Sequence, residues 1–116
     1  MHIERISPTS NFHRVVKYNG TAYLSGLVAD DGDATLDIQV HQVIDKLEAV
    51  LGSINAGLND VISVTIFMTD MTLKPLMNRI WLERFPSKCL PARATVGVSD
   101  LDGPYLLEIT AIAACQ

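Results

Sequence analysis

The sequence has few charges, few residues that break regular structure, and only two cysteines. Charged residues make up 19% of the 116 residues, with 7 Gly and 5 Pro. This composition excludes a disordered or collagen-like chain and favours one globular domain over residues 1–116. Two cysteines make no disulfide framework, so we expect a reducing, cytoplasmic compartment.

Positive charge is also scarce. Lys and Arg number 9 against 13 Asp and Glu, a net charge of −4. We therefore expect no binding to nucleic acid or to an anionic membrane through bulk electrostatics, although a local basic pocket could hold a small anion. No apolar run reaches the length of about 18 residues that a membrane span needs.

Familiar metal and nucleotide motifs are missing. The three histidines and two cysteines do not show the spacing of a zinc site. The chain has neither a Gly-x-Gly-x-x-Gly fingerprint nor a phosphate-binding loop. We therefore expect no metal site, and no motif points to a nucleotide cofactor.

Hydrophobic periodicity predicts the secondary structure. Asn19-Gly20 lies between two β-prone runs, which is typical of a hairpin. From Thr35, apolar residues recur every three or four positions, indicating an amphipathic helix that stops by Gly57. The predicted strands are 14–18, 21–28, 61–68, 92–99 and 105–113, with helices from Thr35 and over 73–85. This order predicts an α+β fold, a sheet with two helices on one face.

The strands at 61–68 and 105–113 are apolar on both faces, as in sheets buried on both sides. Two helices cover only one face, and the mean hydropathy of +0.24 is high for so small a chain. The simplest cover for the other face is a second copy of the chain in a closed oligomer. A loop folded over that face is the alternative, but the loops are short.

Glu108 lies in the middle of an almost wholly apolar strand. A buried carboxylate is costly without compensation, so Glu108 is a candidate general base or acid. The alternative is an ordinary glutamate that faces solvent or pairs with a basic residue.

Arg93 begins the strand that follows Pro91. Alternation puts Arg93, Thr95, Gly97 and Ser99 on one face, which we expect to point away from the helices. The small and apolar residues between them, Ala94, Val96 and Val98, are expected on the helix-covered core face. A guanidinium is a planar fork of donors that suits a carboxylate ligand. It could equally pair with Glu108 or with an acidic residue of a neighbouring chain.

The chain resembles the reactive intermediate deaminase family, also called Rid, RidA or YjgF. The resemblance rests on Pro91-Ala92-Arg93 and on Glu108-Ile109-Thr110-Ala111-Ile112-Ala113. Other matching segments are Leu24-Ser25-Gly26, the strand 64–70, and Asn78 followed by Trp81 and Phe85. The match covers nearly the whole chain in the right order.

The resemblance implies a chorismate-mutase-like fold in a homotrimer, whose sheets form a central barrel with clefts between subunits. It implies cofactor-free hydrolysis of enamines and imines, such as 2-aminoacrylate and 2-imino acids, to 2-keto acids and ammonia. By this likeness Arg93 clamps the substrate carboxylate and Glu108 activates water. Positions that match the cleft lining are Thr95, Gly26, Asn78 and Phe12.

Several positions depart from the family pattern, and they leave the substrate open. Leu27 stands where Gln is common, Thr110 where many members have a second acid, and Phe12 where Tyr is common. We expect Arg93 and Glu108 to converge from adjacent strands on one crevice between protomers. A binding or regulatory trimer that holds a keto acid without turnover is the alternative function.

Overall fold

A computed structural model describes residues 2–116, which form one six-stranded sheet with two helices. The strands are β1 (Glu4–Pro8), β2 (His13–Tyr18), β3 (Thr21–Val28), β4 (Val61–Met68), β5 (Ala92–Gly97) and β6 (Leu107–Ala114). The helices are α1 (Leu36–Gly52) and α2 (Lys74–Arg84). Short 3₁₀ turns lie at Leu58–Asp60, Met71–Leu73 and Ser87–Cys89. The α+β prediction is confirmed, but β1 was not predicted because it is short, polar and mostly exposed.

The strand order across the sheet is β1-β2-β3-β6-β4-β5. The β4–β5 pair is parallel, and the other pairs are antiparallel. A parallel pair needs a crossover connection, which α2 supplies between β4 and β5. As a result β6 inserts beside β4, and the expectation that the last two strands are neighbours is wrong.

The hairpin between β2 and β3 forms where it was predicted. Asn19 and Gly20 have φ angles of 57° and 79°, the left-handed values that a tight two-residue hairpin turn requires. Asparagine and glycine tolerate these values better than other residues. The turn sets the pairing of Tyr18 with Thr21 and so places the rest of β3 in register.

Helix α1 packs its predicted apolar stripe against the sheet, and it ends at Gly52, before the predicted limit at Gly57. Gln39 is a polar residue of α1, yet it is fully buried. Its amide nitrogen donates to the carbonyls of Gly32 and Ala34, and its Oε1 accepts from the amide of Leu106. These bonds satisfy the buried amide and join two loops to α1.

Both helices lie on one face of the sheet. In β4, Val64, Ile66 and Met68 are buried beneath them, and in β6 the buried residues are Leu107, Ile109, Ala111 and Ala113. Alternate residues point to the opposite side, here called the open face. Its members on β3 to β6 include Tyr23, Ser63, Thr65, Phe67, Ala92, Ala94, Val96, Glu108, Thr110 and Ile112.

The open face carries apolar side chains at the surface of one chain. Tyr23 is 47% exposed and Val96 is 41% exposed. The open face is the sheet face for which the strand pattern predicted a cover other than the two helices. Within residues 2–116, no helix is long and apolar enough to cross a membrane.

Candidate functional site

Strand β5 places Arg93 on the helix-covered face of the sheet. Arg93 pairs in register with Val64, and Thr95 pairs with Ile66, both of which are buried in the core. Paired residues on neighbouring strands point to the same face. The prediction that Arg93, Thr95 and Gly97 point away from the helices is therefore wrong. Ala94 and Val96, predicted for the core, lie on the open face instead, and β5 ends before Ser99.

The predicted alternation along β5 is confirmed, but the face assigned to each set of residues is wrong. Small and apolar residues were assigned to the core by their hydropathy. In an edge strand, however, the apolar side of the strand can serve a contact outside the chain. Val96 shows this, because it is one of the exposed large hydrophobic residues.

Two neutral groups of α2 hold the Arg93 guanidinium. Its Nη2 donates to Oδ1 of Asn78 at 2.6 Å. Its Cζ lies 5.4 Å from the centroid of the Trp81 ring, within the range of a cation–π contact. Trp81 in turn stacks on Phe85, with the ring centroids 4.1 Å apart.

Arg93 has no anionic partner within the described chain. No Asp or Glu of residues 2–116 forms an ion pair with it, and its only hydrogen bond is the one to Asn78. Burial lowers the pKa of Arg93, although an arginine stays charged at any physiological pH. A half-buried cation with only neutral partners is a suitable site for a ligand carboxylate.

Thr95 follows Arg93 on the same face of β5. Its Oγ1 is buried and has no hydrogen-bond partner. Buried hydroxyls nearly always have a partner, because leaving one unpaired costs about 1–3 kcal/mol. Arg93, Asn78 and Thr95, with Trp81 beneath the guanidinium, are together called the arginine half-site.

Glu108 lies on the open face, directly over Gly26. A Cβ atom at Gly26 would overlap the Glu108 carboxylate and would lie 2.9 Å from its Cδ. The approach occurs at a β-bulge between Leu24 and Leu27, where β3 has one residue more than β6. Glycine is needed here because any side chain would displace the carboxylate. Glu108 and Gly26 together are called the glutamate half-site.

Glu108 is half-buried and, like Arg93, has no counter-charge among residues 2–116. Its neighbours across the sheet are Val28 on β3 and Phe67 on β4. A carboxylate with no partner, set among apolar neighbours, is suited to accept a proton from water or a ligand. The alternative that Arg93 and Glu108 pair with each other inside one chain is excluded by their positions.

The two half-sites do not meet within one chain. Strand β4 lies between β5 and β6, and the arginine and glutamate half-sites occupy opposite faces of the sheet. The prediction that Arg93 and Glu108 lie on adjacent strands is therefore wrong, and their convergence between protomers stays a prediction. Only residues of different copies could bring the two groups to one ligand.

Phe12 lies apart from both half-sites in one chain. It is 48% exposed in the turn between β1 and β2, at the opposite edge of the sheet from β5. The Thr9 side chain fixes this turn, accepting from the Phe12 amide at 3.0 Å and donating to its carbonyl at 2.9 Å. The Phe12 ring is thus held outward from a short, well-bonded turn.

The sequence analysis did not predict two features of the site. Trp81 is buried, and its contact with Arg93 was not predicted. The signal was its spacing of three residues from Asn78, which puts both on one side of a helix. The second feature is Ser25 at the bulge, whose buried Oγ also lacks a partner. Among residues 2–116, no group of three or more His, Cys, Asp or Glu side chains could hold a metal ion.

Comparisons with known proteins agree with this fold over nearly the whole chain. The family model described as Endoribonuclease L-PSP matches residues 2–115. A RutC family protein of Pyrococcus horikoshii is 32% identical over 114 residues, covering 91% of this chain and 88% of its own.

Two solved structures show the same fold. A YjgF family protein from Neisseria meningitidis superposes with a TM-score of 0.93 at 26% identity, covering 100% of this chain and 97% of its own. A Yersinia pestis protein of the conserved Rid family superposes with a TM-score of 0.84 at 30% identity, covering 92% and 90%. With the sequence motifs and the six-stranded sheet, these matches show that the chain belongs to the RidA/YjgF family.

Proposed function

We propose that this protein hydrolyses 2-imino acids and their enamine tautomers, of the 2-aminoacrylate type, to 2-keto acids and ammonia. The observation that supports the proposal is that Arg93 has a charge with no acidic partner among residues 2–116. Arg93 is a half-buried cation held by Asn78 and Trp81. Such a group suits the carboxylate that every 2-imino acid carries.

The active site is proposed to form between copies of the chain in a homotrimer. One copy holds the arginine half-site at its β5 edge and the glutamate half-site on its open face. The apolar open face and the free edge of β5 are both suited to contact with another copy. In this arrangement Arg93 of one copy and Glu108 of its neighbour line one cleft.

The reaction needs only orientation and one proton carrier. Arg93 and Thr95 hold the substrate carboxylate, which fixes the imine carbon in place and makes water attack effectively intramolecular. Glu108 removes a proton from the water as its oxygen bonds to the imine carbon. The carboxyl group returns this proton to nitrogen, which gives a carbinolamine with one hydroxyl and one amino group. Glu108 then takes the hydroxyl proton and passes it to the amino group, so that the carbon–oxygen double bond forms as the carbon–nitrogen bond breaks. The products are ammonia and the 2-keto acid. No electron transfer occurs, so the scheme requires no redox cofactor.

An assay with a freshly generated substrate tests this proposal. An amino-acid oxidase acting on alanine supplies 2-iminopropanoate, and semicarbazide traps whatever imine remains. We expect the wild type to lower the trapped imine well below the buffer control, and Arg93→Ala to lose about 10²- to 10³-fold in kcat/KM. Decay no faster than in buffer, across several imino acids, would contradict the enzyme function.

A second candidate function is a trimer that binds a keto acid without turnover. It is favoured by one observation, that the arginine half-site is complete in a single chain whereas Glu108 lies on the other face. This function predicts saturable binding of pyruvate, lost in Arg93→Ala, with no loss of imine. RNA cleavage, named in the family description, has less support because the chain has a net charge of −4.

A further inference from the structure

We infer that Trp81 is a positioning residue that keeps the Arg93 guanidinium in place for an anionic ligand. The inference rests on the proposed carboxylate binding at Arg93. It adds that a neutral platform, rather than an ion pair, holds this cation. The indole lies 5.4 Å from Cζ of Arg93 and is only 4% exposed.

The geometry of the platform favours this role. Asn78 and Trp81 are three residues apart on α2 and therefore neighbours on one side of the helix. Asn78 accepts one N–H of Arg93 at 2.6 Å, while the ring face contacts the cation. The remaining N–H groups of Arg93 have no partner among residues 2–116, so they stay available to a ligand.

The chemistry of the platform explains why an aromatic ring is used. A long arginine on an edge strand would otherwise sample many rotamers, and ordering it would oppose ligand binding. A carboxylate would order the side chain too, but it would also neutralise the charge that the ligand needs. An indole attracts the cation through its ring quadrupole and leaves the charge unpaired.

The face of the Trp81 ring also stacks on Phe85, which lies farther from Arg93. Phe85 is 2% exposed and packs on Trp81 with ring centroids 4.1 Å apart and an interplanar angle of 23°. Phe85 has no contact of this kind with Arg93. It therefore offers a matched control, a buried aromatic on the same stack whose loss disturbs packing without removing the platform.

The test compares Trp81→Leu, Trp81→Phe and Phe85→Leu by calorimetric titration with pyruvate. We expect Trp81→Leu to weaken pyruvate binding about 5- to 20-fold, because the desolvated cation–π contact is lost. Trp81→Phe should stay within about 3-fold of the wild type, since a phenyl ring keeps a weaker contact. Phe85→Leu should stay within about 2-fold, at a loss of thermal stability similar to that of Trp81→Leu.

A second readout uses the fact that Trp81 is the only tryptophan of the chain. Titration with 2-hydroxybutyrate, a carboxylate that does not absorb with indole, should shift the emission of the wild type and Phe85→Leu but not of Arg93→Ala. Equal pyruvate affinity in folded Trp81→Leu and wild type would overturn the platform while leaving carboxylate binding intact. No pyruvate binding by the wild type would instead contradict the proposed function.

Discussion

Two arginines, one in helix α2 and one packed against it, have surroundings that differ in charge. Arg84, at the end of the helix, donates to Asp45 at 2.6 Å and to Glu48 at 2.7 Å. It also bonds to Nδ1 of His41 at 2.9 Å. Arg93, from β5, has the neutral Asn78 and Trp81 instead. One cation is fully paired, and the other is ordered but unpaired.

The pKa shifts of the two residues follow the same division. Burial alone would lower the pKa of Arg84, but hydrogen bonds and charge from Asp45 and Glu48 outweigh it and raise the pKa. For Arg93, burial lowers the pKa and no carboxylate opposes it. Arg84 therefore ties α2 to α1, whereas the charge of Arg93 is left unpaired within one chain.

The largest effect is expected from Glu108→Gln, which keeps the shape of the side chain but removes its capacity to carry a proton. We expect the turnover number for 2-iminopropanoate to fall about 10²- to 10⁴-fold. Pyruvate affinity should change little, because Arg93 supplies the ionic contact. A stopped-flow trapping assay and a pyruvate titration measure the two effects, and a variant with wild-type turnover would remove Glu108 from the reaction.

A single substitution can give Arg93 the surroundings of Arg84. Asn78→Asp places a carboxylate where the amide oxygen accepts from Nη2. The new ion pair should compete with the ligand and weaken pyruvate binding about 10- to 100-fold. Asn78→Ser, which adds no charge, is the control. Unchanged affinity in the aspartate variant would mean that Arg93 does not need a free charge.

The reverse test removes the paired cation. Arg84→Met retains the apolar stem but leaves Asp45 and Glu48 without their partner. Because both carboxylates are more than half exposed, we expect the free energy of unfolding to fall by only about 1–2 kcal/mol. Activity per folded molecule should stay near that of the wild type. Urea unfolding with a parallel activity assay checks this, and a large activity loss at full folding would break the division between the arginines.

The smallest effects are expected at Thr95, where a substitution should raise stability but weaken ligand binding. Thr95→Val removes a buried hydroxyl that has no partner, so the ligand-free protein should gain about 1 kcal/mol of stability. The same change should weaken pyruvate binding about 5-fold, whereas Thr95→Ser should retain it. Thermal unfolding with and without pyruvate measures both. A variant that is destabilised and binds normally would show that the hydroxyl serves packing alone.

Local signals made much of this fold predictable. Asn19-Gly20 determines its own turn, and the stripe of α1 follows from residue spacing alone. Strand order was not predictable, because the insertion of β6 beside β4 depends on contacts between distant segments. The face of Arg93 was missed for a related reason. Alternation separates two faces but does not say which one the helices cover.

The sequence singled out candidate site residues but did not predict their arrangement. The motifs around Arg93 and Glu108 point to both as candidates, and the sheet puts them on opposite faces. The close approach of Gly26 to Glu108 depends on the bulge of β3, and no local sequence pattern predicts that bulge. The proposed cleft must consequently take Arg93 from one copy and Glu108 from another.

Mixing two inactive variants tests whether the cleft is shared between copies. Arg93→Ala and Glu108→Gln proteins, each inactive alone, are unfolded together in equal amounts, refolded, and assayed on 2-iminopropanoate. If each cleft combines residues of two copies, random assembly gives about one quarter of the clefts both native groups, and activity should return to roughly that fraction of wild type. If the mixture stays as inactive as its components although mixed oligomers have formed, Arg93 and Glu108 do not act together across copies, and the account is contradicted.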